Sequence, residues 1–208
     1  FQAVFTVGGR VTIKGTGENK RVQIEASDIE PTLSVRSAPR IDPTAYLYAK
    51  LVLPKGAPLL SGPVTLIRDG VFVGHGRLPL LNPGEDHELG FGADDAVKVK
   101  YITIEEKKGE TGLISTSKTD DRFYRVTVKN LHDRKLDVTL LDQLPVSLNE
   151  EIKVELNSRS TTPTKKDVED RRGVYAWTLQ LNADEEKQIQ FGYRIAWPAD
   201  KRVILAPK

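Results

Sequence analysis

Pro63-Val64-Thr65-Leu66-Ile67-Arg68-Asp69-Gly70-Val71-Phe72-Val73-Gly74 is the stretch that decides the fold class. Two runs rich in β-branched and aromatic residues flank Asp69-Gly70. A two-residue hairpin turn of type I′ needs positive φ at both central positions, and Asp-Gly adopts that conformation at little steric cost. The segment is therefore predicted to be an antiparallel hairpin.

Working outward, the same period of two recurs. Ala3, Phe5 and Val7 alternate with Gln2, Val4 and Thr6, and Val22 and Ile24 with Arg21, Gln23 and Glu25. Ala45 to Leu53 is apolar on nearly both faces, as a central strand requires. Val97 to Ile104 reads as a strand, and Glu105 to Gly112, charged and ending in glycine, as a turn or exposed excursion.

In the second half, Phe123 to Lys129 is a strand, Asn130 to Lys135 a polar turn, and Leu136, Val138 and Leu140 alternate with Asp137 and Thr139. Ile152, Val154 and Leu156 alternate likewise. Tyr175, Trp177, Leu179 and Leu181 share one strand face. Ile189, Phe191, Tyr193, Ile195 and Trp197 share another, so both tryptophans are expected to point into a core. Asn157 to Arg172, rich in Ser, Thr, Lys, Asp and Arg, is expected to be a mobile loop. Amphipathic helices, internal repeats and low-complexity tracts are lacking.

These patterns predict an all-β chain of two antiparallel β-sandwich domains, the C-terminal one immunoglobulin- or fibronectin-like. Apolar periodicity lapses across Ser115 to Asp121, so the boundary is placed there: residues 1–116 and 117–208.

Composition narrows the function classes. The 208 residues carry 31 Lys and Arg against 29 Asp and Glu. A dedicated nucleic-acid binder usually shows a basic excess or stripe, so no nucleic-acid partner is expected. There is no cysteine, which excludes disulfides, thiol catalysis and Cys-ligated zinc. There is no methionine either, so the chain is expected to be trimmed at its start, without any signal peptide or upstream domain. No window is long and apolar enough to span a bilayer, and no direct membrane insertion is expected.

Candidate chemistry is sparse. Gly15-Thr16-Gly17 precedes a strand rather than a helix, so it cannot aim helix-terminal amides at a phosphate. Glu85-Asp86-His87-Glu88 is the tightest polar cluster, but consecutive residues of a strand or turn point in different directions and do not readily converge on one ion. His75 lies between two glycines just after the hairpin and is a candidate groove residue. Neither Ser61 nor Ser147 has nucleophile-elbow context. Asp120-Asp121 and Glu150-Glu151 read as turn carboxylates. Tyr46 and Tyr48 share a face of one strand and are candidates for an aromatic sugar platform. The low-weight binding candidates are thus Tyr46, Tyr48, His75 and His87, with no catalytic residue, metal site or cofactor expected.

Several segments, in order, resemble the C-terminal region of the mucoidy inhibitor A family, a domain of unknown function. They are Ala57 to Val64, Arg68 to Gly74, Tyr124 to Asn130, Leu141-Asp142-Gln143-Leu144-Pro145-Val146-Ser147, Gly173 to Trp177, and Tyr193 to Pro198. The resemblance covers essentially the whole chain. It implies an N-terminal domain and a coiled-coil segment upstream, and it carries over no catalytic residue. The expected function is a non-catalytic structural or protein-interaction module in a bacterial envelope or periplasmic protein. Its partner would be protein, including upstream segments of the same polypeptide. The alternatives are a carbohydrate-binding module using Tyr46 and Tyr48, and a hydrolase using His75 or His87 with nearby carboxylates.

Overall fold

The computed structural model describes residues 4–13, 15–111 and 117–203. Its strands are β1 (Thr32–Ala38), β2 (Asp42–Val52), β3 (Gly62–Arg68), β4 (Val71–Leu78), β5 (Asp86–Ala93), β6 (Val97–Thr111), β7 (Ser117–Asn130), β8 (Leu136–Gln143), β9 (Lys153–Leu156), β10 (Lys165–Lys166), β11 (Val174–Leu181) and β12 (Glu186–Pro198). A 3-10 turn at Val168–Asp170 is the sole helical element among the described residues. The chain is all-β.

Among the described residues three sheets form, in the orders β10-β11-β8-β1-β2-β5, β6-β7-β12-β9 and β3-β4. The β3–β4, β6–β7, β7–β12, β9–β12, β8–β11 and β10–β11 pairs are antiparallel. β1 runs parallel to β8, from Ser34↔Asp137 to Ser37↔Leu140. Parallel neighbours need a long crossover, and strand alternation alone carries no sign of it.

The chain divides into two compact units, Phe1–Thr32 with Ala49–Leu89, and Leu33–Tyr48 with Gly90–Lys208. This differs from the expected division into residues 1–116 and 117–208. The reason lies in β6 and β7, which pair from Val97↔Asn130 to Thr111↔Ser117 and so bind together the two sides of the expected boundary. Residues 112–116, on which part of that boundary fell, lie outside the described residues. Glu105 to Thr111, read as a turn, continues β6, because its charges meet complementary ones on β7. Arg122 lies 3.7 Å from Glu106, and Lys107 and Lys108 pair in register with Asp121 and Asp120.

The larger unit holds one hydrophobic cluster, with Val35, Leu47, Val138 and Trp177 from the six-stranded sheet and Tyr124, Val126, Phe191 and Ile195 from the four-stranded one. Alternation explains its membership. Ile189, Phe191, Tyr193 and Ile195 are buried, as expected from one strand face. Trp177 is 1% exposed, and its ring meets Phe191 edge-on at 5.3 Å. Trp197 packs against the cluster but is only half-buried.

The smaller unit contains the hairpin. β3 and β4 pair to Arg68↔Val71, and Asp69 and Gly70 both take positive φ, 50° and 78°, as the type I′ reading requires. Leu66, Leu78 and Leu81 are buried in this unit. Among the described residues, 4–31 contain no strand, so the expected strand around Arg21–Glu25 does not form and neither does the Val4–Val7 part of the one expected over Phe1–Val7, whose first three residues lie outside the described residues. Val4 is 84% exposed and Ile24 51%. An alternating pattern becomes a strand only where a neighbouring edge pairs its backbone groups.

Asn157 to Arg172 is stitched down rather than loose. Ser160 Oγ accepts from Gly192 N at 3.0 Å, Thr161 Oγ1 accepts from Gln190 N at 3.0 Å, and Thr164 Oγ1 accepts from Thr178 N at 3.0 Å. The small hydroxyl residues that mark a loop in the sequence are the ones that fasten it.

Candidate functional site

Each sequence candidate has a definite place. On β2, Ala45, Leu47 and Ala49 are buried while Tyr46 and Tyr48 take the opposite face, Tyr46 40% exposed. The Tyr46 hydroxyl donates to Asp42 Oδ2 at 2.9 Å, and that carboxylate holds the phenol above its ordinary range. The Arg36 guanidinium lies 4.5 Å from the Tyr48 ring centroid, a cation–π contact. One ring is therefore already covered on a face that a sugar would use.

His75, on β4, is exposed, its ring 5.1 Å from that of Phe72. His87, on β5, is half-buried. Its neighbours diverge. Glu85 Oε2 accepts from Asn82 N at 2.7 Å, whereas Asp86 pairs with Lys50 Nζ at 2.9 Å. Each carboxyl is held below its usual range by that contact. Among the described residues no three His, Asp or Glu side chains converge as metal ligands.

A third histidine has the better-formed environment. His132 Nε2 lies 2.9 Å from Asp94 Oδ2, and Asp94 is 4% exposed. The Val97↔Asn130 pairing at the β6–β7 ladder end brings these residues together across the sequence. Asn130, fully buried, accepts from His132 N at 3.0 Å and donates to the carbonyls of Arg134 and Asn182 at 2.8 and 2.9 Å. An imidazole oriented by a buried carboxylate can serve as a general base. Here the surrounding bonds all go to backbone, so the network fastens the turn between β7 and β8.

A further group of titratable side chains lies at the end of the core, where the sequence reading proposed no site. Asp142, at the end of β8, is 6% exposed. Its Oδ1 accepts from Gln143 N at 2.7 Å and lies 3.6 Å from Arg40 Nη1. Arg40 also donates to Gln143 O at 2.9 Å. Tyr101, Tyr124 and Tyr193 complete the group, with ring centroids 5.1 Å apart for Tyr101–Tyr124 and 6.2 Å for Tyr124–Tyr193. Asp142 Oδ2, the hydroxyls of Tyr101 and Tyr124, and Ser37 Oγ are buried without a hydrogen-bond partner of good geometry. Burial pushes the Asp142 carboxyl above its ordinary range, against the pull of Gln143 N–H and Arg40. Burial also raises the Tyr101 and Tyr193 phenols. The signal available in the sequence was Asp142 at the end of an alternating strand. Nothing local in that signal points to Arg40 or Tyr101.

Surface depressions lie among the described residues of the larger unit, and two of them have well-defined linings. One, of about 270 Å³, is rimmed by Glu105, Lys107, Asp121, Arg159 and Arg194. Its arginines are engaged, Arg194 Nε donating to Asp121 at 2.7 Å and Arg159 Nη2 to Glu105 at 2.8 Å. The other, of about 260 Å³, is lined by Leu144, Val146, Ile152, Arg172, Gly173 and Tyr175 among others.

The class of protein is defined here by its all-β architecture. Residues 1–199 match the family described as Domain of unknown function (DUF4139), and the chain belongs to that family. Protein F37C4.5 of Caenorhabditis elegans is 25% identical over 207 residues, which is 96% of this chain and 37% of that protein. The chain thus spans well under half the length of this curated relative. No solved structure matches it.

Proposed function

We propose that the chain is a non-catalytic protein-interaction module of an envelope-associated bacterial protein of the mucoidy inhibitor A type. One observation supports this most: large apolar side chains are exposed together on the β3–β4 ribbon, where Ile67, Val71 and Phe72 are 60%, 66% and 58% exposed. Ile67 and Phe72 are cross-strand partners, and Leu60 and Leu80 of the same unit are also exposed. Apolar surface of this kind marks association sites more often than it serves a free monomer. The proposed partner is polypeptide, including other segments of a longer parent protein.

The finer architecture belongs to the same reading: two β-sandwiches, the C-terminal one immunoglobulin-like. The core shared by the six- and four-stranded sheets supports a sandwich for the larger unit. A photo-crosslinking residue at Val71, in the full-length protein in its own cells, tests the interaction. Crosslinks to polypeptide that vanish in Ile67→Ser/Phe72→Ser are expected. A lack of protein crosslinks with the fold intact overturns the reading, as does turnover on a hydrolase panel that is lost in a His75→Ala/His87→Ala variant. Envelope association is tested by cell fractionation, where recovery in the cytosol alone refutes it.

A carbohydrate-binding reading keeps one point in its favour, the shared outer face of Tyr46 and Tyr48. Arg36 over Tyr48 counts against it. Glycan binding abolished by Tyr46→Ala would replace the protein-interaction reading with this one.

A further inference from the structure

Arg40 reaches the end of β8 from a tight turn. Ile41 N donates to Ala38 O at 2.9 Å, so residues 38–41 reverse the chain between β1 and β2. The guanidinium then has two holds on β8, the Gln143 carbonyl and the Asp142 carboxyl. We propose that Arg40, Asp142, Tyr101, Tyr124 and Tyr193 form a proton-operated clasp. The clasp fastens the β1–β2 turn to the end of β8 while Asp142 is ionised and loosens that turn when Asp142 takes up a proton.

The geometry carries the two states. Ionised Asp142 has a nearby cation in Arg40, but it is otherwise poorly solvated. It sits almost fully out of water, and Oδ2 has no hydrogen bond of good geometry although the Tyr101 hydroxyl faces the carboxyl; a buried carboxylate in that condition is costly. The remaining group that faces it from a packed strand is the Tyr101 phenol of β6, while Tyr124 of β7 and Tyr193 of β12 continue the row of rings and face Arg40. Arg122, also on β7, is committed to Asp120 through bonds of 3.1 and 3.0 Å. Arg40 is thus the cation on which the ionised state depends.

Protonation removes the charge and turns one carboxyl oxygen into a donor, beside the Tyr101 hydroxyl, which can accept a hydrogen bond as well as donate one. Arg40 then keeps only the Gln143 carbonyl. The raised carboxyl of Asp142 agrees with this balance. The next residue, Ile41, is 89% exposed and reports on the turn.

The test is a pH titration of the whole chain by NMR, between about pH 3 and pH 8. It follows the Asp142 carboxyl carbon and the Ile41 methyl groups together. The clasp requires one step with a shared midpoint above the ordinary carboxylate range, and loss of the Ile41 step in Asp142→Asn. A flat Ile41 profile, an Ile41 step that survives in Asp142→Asn, or an Asp142 midpoint at or below the ordinary range each overturns it. Should Asp142→Asn fail to fold, Arg40→Gln decides. Removal of the cation must move the Asp142 midpoint upward and abolish the Ile41 step, and an unchanged midpoint refutes the proposal.

Discussion

Trp177 Nε1 donates to the Thr161 carbonyl at 2.8 Å, so the most deeply buried indole of the chain also anchors its most polar connection. Trp177→Ala removes a filled core position and the anchor together and is expected to cost about 3–5 kcal/mol in urea denaturation. Trp177→Phe keeps a ring against Phe191 but loses the donor. Amide exchange at Gln190 and Gly192, whose N–H groups bond to Thr161 and Ser160, should quicken in it. Unchanged exchange would mean that the connection holds itself in place.

Two glycines should fail for different reasons. Gly70 has φ 78° with open space around it, so a side chain there meets backbone strain alone. Gly70→Val is expected to destabilise the smaller unit by about 1 kcal/mol or more. At Gly192 a Cβ would strike the Phe123 ring and come within 2.8 Å of the Arg122 carbonyl oxygen. The guanidinium of Arg159 lies 4.2 Å over the same Phe123 ring and limits its escape. Gly192→Ala is expected to cost about 1–3 kcal/mol through overpacking. Equal urea midpoints for Gly192→Ala and the parent would refute the close approach.

The pH dependence of stability has components of opposite sign. Asn82-Pro83-Gly84-Glu85 and Asn182-Ala183-Asp184-Glu185 form matching turns, in which the glutamate accepts from the asparagine N–H at 2.7 Å in both. Both carboxyls are held below their ordinary range, chiefly by that backbone bond. Their stabilisation is present above the unfolded-state pKa and is lost as pH falls through the folded one. Asp142 is raised, so its contribution is full below the unfolded-state pKa and is lost as pH rises through the folded one. On acidification, parent minus Glu185→Gln should therefore shrink, while parent minus Asp142→Asn should grow. Urea midpoints across pH for the three proteins measure both, and trends of the same sign would contradict the assignment.

The compact units predict which fragments fold. A fragment starting at Thr119 loses β6, β1, β2 and β5, leaving Tyr124, Val126 and Val138 without much of their covering. It should be insoluble or give a collapsed amide spectrum. Starting the chain at Leu33, deleting residues 49–89 and joining Tyr48 to Gly90 through a short glycine linker removes the smaller unit at its own limits. That protein should give dispersed amide signals. The reverse pair of results would restore a boundary near residue 117.

Much of this was legible in residues taken a few at a time. Asp69-Gly70 sets a hairpin because positive φ at both turn positions is a local property of those residues. Phe191, Tyr193 and Ile195 reach the core because side chains on a strand alternate and apolar ones leave water. Absence of cysteine likewise excludes a whole chemistry without any fold. The tertiary structure decided what depends on partners distant in sequence. Glu105 to Lys108 are strand because Arg122, Asp121 and Asp120 lie across from them. Val22 and Ile24, equally well patterned, are not strand, because no edge meets them among the described residues. Arg40, Tyr101 and Asp142 meet because sheet pairing and core packing bring together the β1–β2 turn, the interior of β6 and the end of β8. Backbone preference acts over neighbouring residues and is written in the sequence, whereas electrostatic and hydrogen-bond partners are set by pairing register, which only the assembled sheets specify.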